Sequence, residues 1–227
     1  MNKVKQGLKK TRSQIHHAES SAKRERDSIR LLAVSKTKPA NDIILAYQAG
    51  QRHFGESYLQ EALQKQRELA AFDITWHFIG PIQSNKTKAI ARHFTWVHSV
   101  DRFKIAKRLS EQRPAYLPAL NILIQVNISA ETTKSGVLLN ELAPIAKEIN
   151  TLPNIRLRGV MAIPEPNSSY KDQRKPYKTL YQAIKQLNMP EMNEFSFGMS
   201  GDLKAAIAEG STIVRVGTAL FGARHYP

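Results

Sequence analysis

From residue 29 onward the sequence alternates eight times between a short apolar run and an amphipathic segment. The runs have the length of buried strands, and the segments between them repeat apolar residues at helical spacing. Strands that alternate with helices in this way are typical of parallel sheets with right-handed crossovers. The predicted strands cover residues 31–35, 52–54, 75–79, 95–98, 120–128, 156–161, 194–197 and 212–216.

Eight strand–helix units in about 200 residues fit a closed (β/α)8 TIM barrel near the small end of its size range. A doubly wound open sheet is the alternative, although no glycine-rich dinucleotide fingerprint follows any predicted strand. We therefore predict an α/β protein with a (β/α)8 barrel. Within it, Ser84, Asp101 and Asn140 are predicted to cap the helices that follow them.

The amino terminus precedes this pattern and has a different character. Apolar residues at helical spacing predict an amphipathic helix over 3–27, so the expected division is a basic helix or leader over 1–28 and one barrel domain over 29–227. The chain of 227 residues has no cysteine, no apolar run of about 18 residues and no apolar segment near its start. These features predict a soluble, cytoplasmic protein.

The chain is strongly basic, with 34 Lys and Arg against 19 Asp and Glu, a formal net charge of +15. Residues 1–30 contain nine of the basic residues and three of the acidic ones. Such an excess is compatible with nucleic-acid binding, with anionic ligands or with a contribution to solubility alone. Because residues 1–30 contain no aromatic side chain to stack on bases, dedicated nucleic-acid binding is the less favoured interpretation.

Lys36 directly follows the first predicted strand, and Pro39 then closes that segment. The carboxyl ends of strands are where α/β barrels and open α/β sheets place their chemistry. A partly buried ammonium readily becomes the neutral amine, which is the form that condenses with an aldehyde. Lys36 is therefore either a surface lysine at a strand end or a lysine that forms a Schiff base.

Two turns of small residues follow the seventh and eighth predicted strands. The first turn contains Ser200 and Gly201, and the second contains Gly217 and Thr218. In barrels these two positions frequently bind phosphate, although each could also be an ordinary strand-to-helix turn.

Arg215 lies between two valines in a strand that should be buried, where an unpaired guanidinium is costly. Its side chain either escapes to the barrel rim or faces the barrel mouth and donates to a ligand. In a closed barrel the eighth strand neighbours the first, so Arg215 and Lys36 would share one mouth with both turns. A lysine, a phosphate cradle and an arginine able to face a ring nitrogen together describe a pyridoxal phosphate (PLP) site.

Six motifs occur in one order and cover about residues 29–224: LLAVSKTKP, QRHFGESYLQE, WHFIGPIQSNK, LIQVNIS…KSG, LRGVMAIP and FGMSGDLKAAIAEGSTIVRVGTALFG. In these motifs the chain resembles the pyridoxal phosphate homeostasis proteins, stand-alone relatives of the alanine racemase N-terminal barrel. The resemblance implies a barrel that holds PLP, with Lys36 as the Schiff-base lysine.

The resemblance also implies cofactor contacts from six further residues: Met161 beside the cofactor, Arg215 near the pyridine nitrogen, and Ser200, Gly201, Gly217 and Thr218 on the two phosphate turns. Ser57 departs from the family, whose members usually carry Asn there, so a cofactor contact from that position is not carried over. The stretch Ser168–Pro176 is more basic and less regular than in the family, which leaves the start of its helix open.

The type of chemistry depends on Arg215, because an arginine cannot accept a proton and leaves a facing pyridine nitrogen neutral. A neutral ring is a weaker electron sink, which disfavours transamination and decarboxylation. Racemisation needs acid–base groups on both faces of the substrate carbon, and Lys36 can serve one of them. In the racemases that the barrel resembles, the other base is a tyrosine from a second domain, whereas this chain ends at Pro227.

Four other residues near strand ends could supply that second group, but each type is more often found in a core or at a rim: Glu56, Tyr58, His77 and His98. The sequence therefore predicts a PLP-binding protein of intracellular PLP homeostasis, without catalytic residues, that supplies PLP-dependent apoenzymes. A PLP-dependent amino-acid racemase is the alternative. We expect a monomer with no membrane association and no dedicated nucleic-acid site. No metal site is predicted, because the seven histidines show no ligand spacing.

Overall fold

A computed structural model describes residues 2–129, 131 and 134–223 of the chain. Its centre is a closed barrel of eight parallel strands in sequence order, which confirms the barrel over the open sheet. The strands are β1 (Arg30–Val34), β2 (His53–Glu56), β3 (Thr75–Phe78), β4 (Trp96–Val100), β5 (Leu120–Val126), β6 (Ile155–Ala162), β7 (Glu194–Ser196) and β8 (Ile213–Val216).

One helix precedes the barrel, and the others follow the strands. The helices are α1 (Lys3–Ser21), α2 (Ala40–Gln48), α3 (Leu59–Glu68), α4 (Thr87–His93), α5 (Phe103–Gln112), α6 (Leu142–Asn150), α7 (Tyr170–Gln186), α8 (Leu203–Ala208) and α9 (Thr218–Phe221). Single 3-10 turns precede α4 and α6, at Ser84–Lys86 and Leu139–Glu141. No helix within the described residues is both long and apolar enough to cross a bilayer.

The three predicted helix caps are wrong. Ser84 and Asn140 lie inside the 3-10 turns rather than at a helical N-cap. Asp101 accepts a hydrogen bond from the Arg102 guanidinium, at 2.7 Å, and Arg102 itself occupies the N-cap position of α5. In each case the helix starts one or two residues later than the capping preference of the side chain predicts. Helix α1 also ends earlier than predicted, at Ser21.

Helix α1 packs against the outside of the barrel. A Cβ on Gly7 would lie 2.3 Å from the carbonyl oxygen of Leu220, so only glycine permits this close approach to α9. Glu19 is buried, and its Oε1 accepts the backbone N–H of Ile29 at 3.0 Å, just before β1. The Arg24 guanidinium donates to the carbonyl of Ser211, just before β8. These contacts join α1 to the side of the barrel where the first and last strands meet.

The barrel strands separate two buried regions. Most buried apolar side chains form one cluster between the strands and the surrounding helices, including α1. Inside the ring of strands, Trp96, Leu123 and Met161 form a separate small cluster. Side chains along a barrel strand alternate between these two sides. We call the first region the helical layer and the second the barrel interior.

Strands β1 and β8 close the barrel and align their carboxyl ends. Leu32 pairs with Arg215, and Ala33 pairs with Val216. Beyond the pairing, a Cβ on Gly217 would lie 3.3 Å from the carbonyl oxygen of Val34. The turn that carries Lys36 and the turn that carries Gly217 are therefore neighbours, as the closed barrel predicts.

Candidate functional site

A cavity of about 290 Å³ opens where β1, β7 and β8 end. All seven predicted site residues line it: Lys36, Met161, Ser200, Gly201, Arg215, Gly217 and Thr218. Val34, Ser57, Ile79, Ile163 and Met199 complete the lining. The residues come from opposite ends of the chain and meet because the barrel closes.

Lys36 occupies the turn that directly follows β1 and is half-buried. The next residue, Thr37, has a φ of 62°, in the left-handed region that β-branched residues rarely adopt. Its backbone N–H donates to Oε1 of Glu61 in α3, at 2.7 Å. The contact offsets the conformational cost and fixes the turn, and strained turns of this kind concentrate at functional sites.

A buried ion pair between Glu56 and Lys65 holds the same turn. Oε1 of Glu56, at the end of β2, accepts hydrogen bonds from the Ser35 hydroxyl at 2.7 Å and from Lys65 Nζ at 2.8 Å. Lys65 also donates to the carbonyl of Ser35 and to Glu61, which uses all three ammonium hydrogens. Burial raises the pKa of Glu56, while Lys65 opposes that shift. Both residues that flank Lys36 are thus anchored to one ion-pair network.

Arg215 points into the barrel interior and is 4% exposed. One guanidinium nitrogen, Nη1, donates to the carbonyl of Ser196 and, at 2.8 Å, to its hydroxyl. The other, Nη2, donates to the carbonyl of Ala162 at 3.0 Å. Burial lowers the pKa of Arg215, and the fields of Tyr177 and Asp202 oppose the shift. The buried strand arginine therefore faces the cavity and is held by neutral acceptors.

The turn after β7 is fixed by its own residues. Gly198 has a φ of +84°, and a Cβ there would lie 2.6 Å from the Cβ of Ala206, so the position requires glycine. Asp202 accepts the backbone N–H of Met199 at 2.6 Å and the Tyr177 hydroxyl at 2.5 Å. Burial, with Asp202 beside it, raises the pKa of Tyr177. This tyrosine is a neutral donor that steadies the turn.

At Gly201 the same turn leaves room beside the cavity, because a Cβ there would meet no atom within 4 Å. Across the cavity, Gly217 and Thr218 form the turn after β8. The backbone N–H groups in the first turn of a helix have no partner within that helix, so such turns suit an anion when other contacts support it.

The four candidate acid–base residues lie elsewhere. Glu56 is engaged by Lys65, while His77 and His98 are fully buried in the barrel interior. Tyr58 is 52% exposed and does not line the cavity. Lys36 and Arg215 are the titratable side chains that line the cavity within the described part of the chain.

Apart from Met161, the apolar residues of the lining were not predicted from the sequence. Ile79 and Ile163 each directly follow a strand, β3 and β6, and with Val34 they form the cavity wall. Their position after a strand was a usable signal, since residues at that point of a barrel face the site. The Glu56–Lys65 pair gave no such signal, because Lys65 looks like any lysine of an amphipathic helix.

Known proteins share both the sequence and the fold. The family model described as alanine racemase, N-terminal domain, matches residues 8–225. A Pseudomonas aeruginosa protein named pyridoxal phosphate homeostasis protein is 54% identical over 226 residues, which cover 100% of this chain and 98% of the relative. The chain belongs to the pyridoxal phosphate homeostasis protein family, whose barrel is an alanine racemase N-terminal domain.

Solved structures agree with that membership. An unknown protein from Bifidobacterium adolescentis has 34% identity and a TM-score of 0.89, over 96% of this chain and 94% of that one. PipY from Synechococcus elongatus PCC7942, solved with PLP bound, has 35% identity and a TM-score of 0.80, over 92% of this chain and 100% of PipY. Alanine racemases of known structure, at 14 to 16% identity, share the fold alone. The pyridoxal phosphate homeostasis family and the alanine racemase barrel, both expected from the sequence motifs, are confirmed.

Proposed function

We propose that this member of the pyridoxal phosphate homeostasis family binds PLP in the cavity at the end of β1, β7 and β8. Lys36 holds the cofactor as a Schiff base, and the protein supplies it to other proteins. One observation carries the proposal: the Lys36 turn, the Arg215 guanidinium and two turns of small residues line a single cavity.

The groups in the cavity fit PLP one by one. The cofactor has an aldehyde, a pyridine nitrogen, a flat ring and a phosphate. The cavity offers a primary amine at Lys36, a guanidinium donor at Arg215 and an apolar wall that includes Met161. At Gly201 a side chain would extend into space that the turn leaves open. Ser200 and Thr218 belong to the two turns, and their hydroxyls can donate to a phosphate.

Each residue then has a defined task. PLP supplies an aldehyde that condenses reversibly with a primary amine, so Lys36 can both hold and release it. Arg215 would donate to the ring nitrogen, and because a guanidinium has no acceptor, the nitrogen that faces it would be unprotonated and neutral. The turns at Ser200–Gly201 and Gly217–Thr218 bind the phosphate, and the apolar wall excludes water from one side of the ring. The anchored Thr37 keeps the lysine turn in place during exchange.

This arrangement supports a carrier more strongly than a racemase. Racemisation needs a second acid–base group opposite Lys36. Within the described residues, Arg215 is the other titratable side chain of the cavity, and a guanidinium is a poor base. The residues considered for that role are buried elsewhere or exposed to solvent.

We extend the proposal to partners and location. PLP-dependent apoenzymes are the recipients, and the carrier is a cytoplasmic monomer without dedicated nucleic-acid binding. Residues 1–28 form a basic segment beside a single PLP-binding barrel domain over 29–227. Sedimentation of the pure protein tests the monomer. Transfer of PLP to a reporter apoenzyme, measured as recovered enzyme activity, tests delivery.

The site is tested by the absorption spectrum of the pure protein with added PLP. We expect a Schiff-base band at the edge of the visible range. Borohydride reduction followed by peptide mapping should place the label on Lys36. Lys36→Ala should abolish the band, and the control Lys104→Ala, at an exposed position in α5, should retain it. A wild-type protein without the band, or a label on another lysine, contradicts the proposal.

The racemase alternative is tested by proton exchange. Amino acids are incubated with the PLP-loaded protein in deuterated water and examined for label at the α-carbon. Absence of wash-in across the common amino acids is expected for a carrier. Wash-in that disappears in Lys36→Ala would establish the enzyme instead.

A further inference from the structure

A row of hydrogen-bonded side chains crosses the barrel interior and ends at Arg215. His53 Nδ1 lies 3.0 Å from His77 Nε2, and His77 Nδ1 lies 2.9 Å from His98 Nε2. His98 Nδ1 lies 2.9 Å from Oγ of Ser196, which in turn accepts from Arg215 Nη1 at 2.8 Å. The five residues belong to β2, β3, β4, β7 and β8. We call them the histidine row.

The rings of the histidine row are neutral near neutral pH. Burial lowers the pKa of His77 and His98 well below the ordinary histidine value, and neighbouring positive charge lowers each further. Burial, with the charge of Arg30, lowers the pKa of His53 to about 4. A neutral imidazole donates at one nitrogen and accepts at the other. The rings can therefore be linked in two directions, and one tautomer of each ring corresponds to each direction.

Arg215 distinguishes the two directions, because a guanidinium can only donate. If the Ser196 hydroxyl donates to His98 Nδ1, then every link has one donor and one acceptor, and each ring carries its hydrogen on Nε2. In the opposite direction, Ser196 Oγ would face two N–H donors at once. The hydrogen of the Ser196 hydroxyl would then have no acceptor in the row. The first direction also points the N–H end of each imidazole dipole away from the buried cation.

We propose that His98, His77 and His53 are positioning residues for Arg215, locked as a one-way row of Nε2–H tautomers. The row fixes the Ser196 hydroxyl as an acceptor toward Arg215 and so holds the guanidinium at the cavity wall. This inference rests on the proposed function, because the row has a role in binding only if the cavity at Arg215 takes PLP. The tautomers themselves can be measured without PLP.

The far end of the row is accessible. His53 is half-buried and lines a second cavity, of about 470 Å³, near the amino-terminal ends of the strands. Arg30 lines that cavity as well, and it pairs with Glu194 at 3.1 Å. In the one-way row the His53 Nε2–H is the terminal donor. Four hydrogen bonds therefore connect His53, at the opposite end of the barrel, to Arg215.

The test is nitrogen NMR of the PLP-free protein labelled with ¹⁵N-histidine, at neutral pH. We expect all three rings as Nε2–H tautomers. Ser196→Ala removes the hydroxyl but leaves Arg215 its backbone acceptors, so His77, two links away, should lose its single tautomer. The matched control is Ser211→Ala, since Ser211 is also fully buried but its hydroxyl lies within 3.2 Å of the carbonyl oxygens of Phe195, Phe197 and Ile213, outside the row. An Nδ1–H tautomer in the wild type, or an unchanged His77 in Ser196→Ala, overturns the inference.

A second measurement links the row to the cavity. Affinity for PLP should fall about 2- to 10-fold in Ser196→Ala and in His77→Gln, the range expected for one hydrogen bond. The Lys36 Schiff-base band should persist in both variants, and Ser211→Ala should match the wild type. Unchanged affinity in both variants refutes the positioning role. Failure of the wild type to bind PLP refutes the proposed function instead, and leaves the tautomer result intact.

Discussion

The helical layer and the barrel interior use alternate residues of the same strands for opposite purposes. In β8, Val214 belongs to the apolar core between sheet and helices, whereas the next residue, Arg215, is buried in the interior. In β7, Phe195 belongs to that core and Ser196 accepts from Arg215. The helical layer stabilises the fold, and the polar interior supports the cavity. A single strand residue moved by one position would change sides.

The largest effect is expected at the buried ion pair of the helical layer, Glu56 with Lys65. Lys65→Met leaves the fully buried Glu56 without its cation, and loss of one partner of a buried pair costs about 3–5 kcal/mol. Urea denaturation should show this decrease in the free energy of unfolding. The double variant Lys65→Met/Glu56→Gln should recover most of the loss. A single-variant loss under about 1 kcal/mol would mean that Glu56 is already neutral.

An apolar truncation in the same layer should affect stability without affecting the site. Leu109 in α5 is fully buried, and Leu109→Ala should cost about 2–5 kcal/mol. The histidine tautomers and the PLP affinity should stay as in the wild type. Leu138→Ala, at a residue that is 40% exposed, is the control and should change stability by less than about 0.5 kcal/mol. A tautomer change in Leu109→Ala would contradict the separation of the two regions.

The barrel interior should make stability depend on pH. His77 and His98 have lowered pKa values in the folded state, so the unfolded chain binds more protons below about pH 6.5. Stability is then complete above that pH and decreases as the pH falls, by up to about 1.4 kcal/mol for each ring and pH unit. Urea denaturation at several pH values between 7.5 and 5.5 measures the slope.

Two comparisons isolate the imidazole contribution to that slope. Burial raises the pKa of Glu56, which gives a contribution of opposite sign in every variant that retains it. His77→Gln should therefore flatten the slope relative to the wild type, whereas His93→Gln, at an exposed position, should not. Equal slopes in all three proteins would contradict the lowered pKa of His77 in the folded state.

The smallest effect is expected at the surface of the helical layer. The Ser169 hydroxyl caps α7 by accepting the backbone N–H of Asp172 at 3.4 Å. Ser169→Ala should cost about 1 kcal/mol or less, the usual range for a lost N-cap. Ser168→Ala, at the exposed neighbour outside the helix, is the control in the same urea titration. A loss equal in both variants would assign the effect to the loop rather than to the cap.

The predictability of each region follows from its chemistry. Apolar periodicity located every strand of the barrel, because the helical layer is built from residues that repeat with the period of their element. Lys36, Arg215 and the two small-residue turns followed from position, since they come from strands that a closed barrel makes neighbours, whereas Met161 followed from the family resemblance. Cap positions failed, because 3-10 turns delay the start of α4 and α6, and Arg102 takes the N-cap position predicted for Asp101, neither of which propensity encodes.

The histidine row could not be predicted for a different reason. His53, His77 and His98 are separated by more than 20 residues each, and no short motif joins them. They meet because strand tilt and register bring inward-facing positions of neighbouring strands side by side. A lone histidine in a strand reads as an ordinary core or rim residue until that register is known. Long-range pairing is the information that a single sequence lacks.

The pairing of β1 with β8 also sets when the protein becomes competent during its synthesis. Lys36 leaves the ribosome well before Arg215 and the turn of Gly217 and Thr218, which lie much further along the chain. At roughly 5–20 residues per second, about 9 to 36 seconds separate the two. A nascent chain therefore carries the Lys36 amine before Arg215 and the turn after β8 can close the cavity around it, so the cavity forms only once β8 has been made.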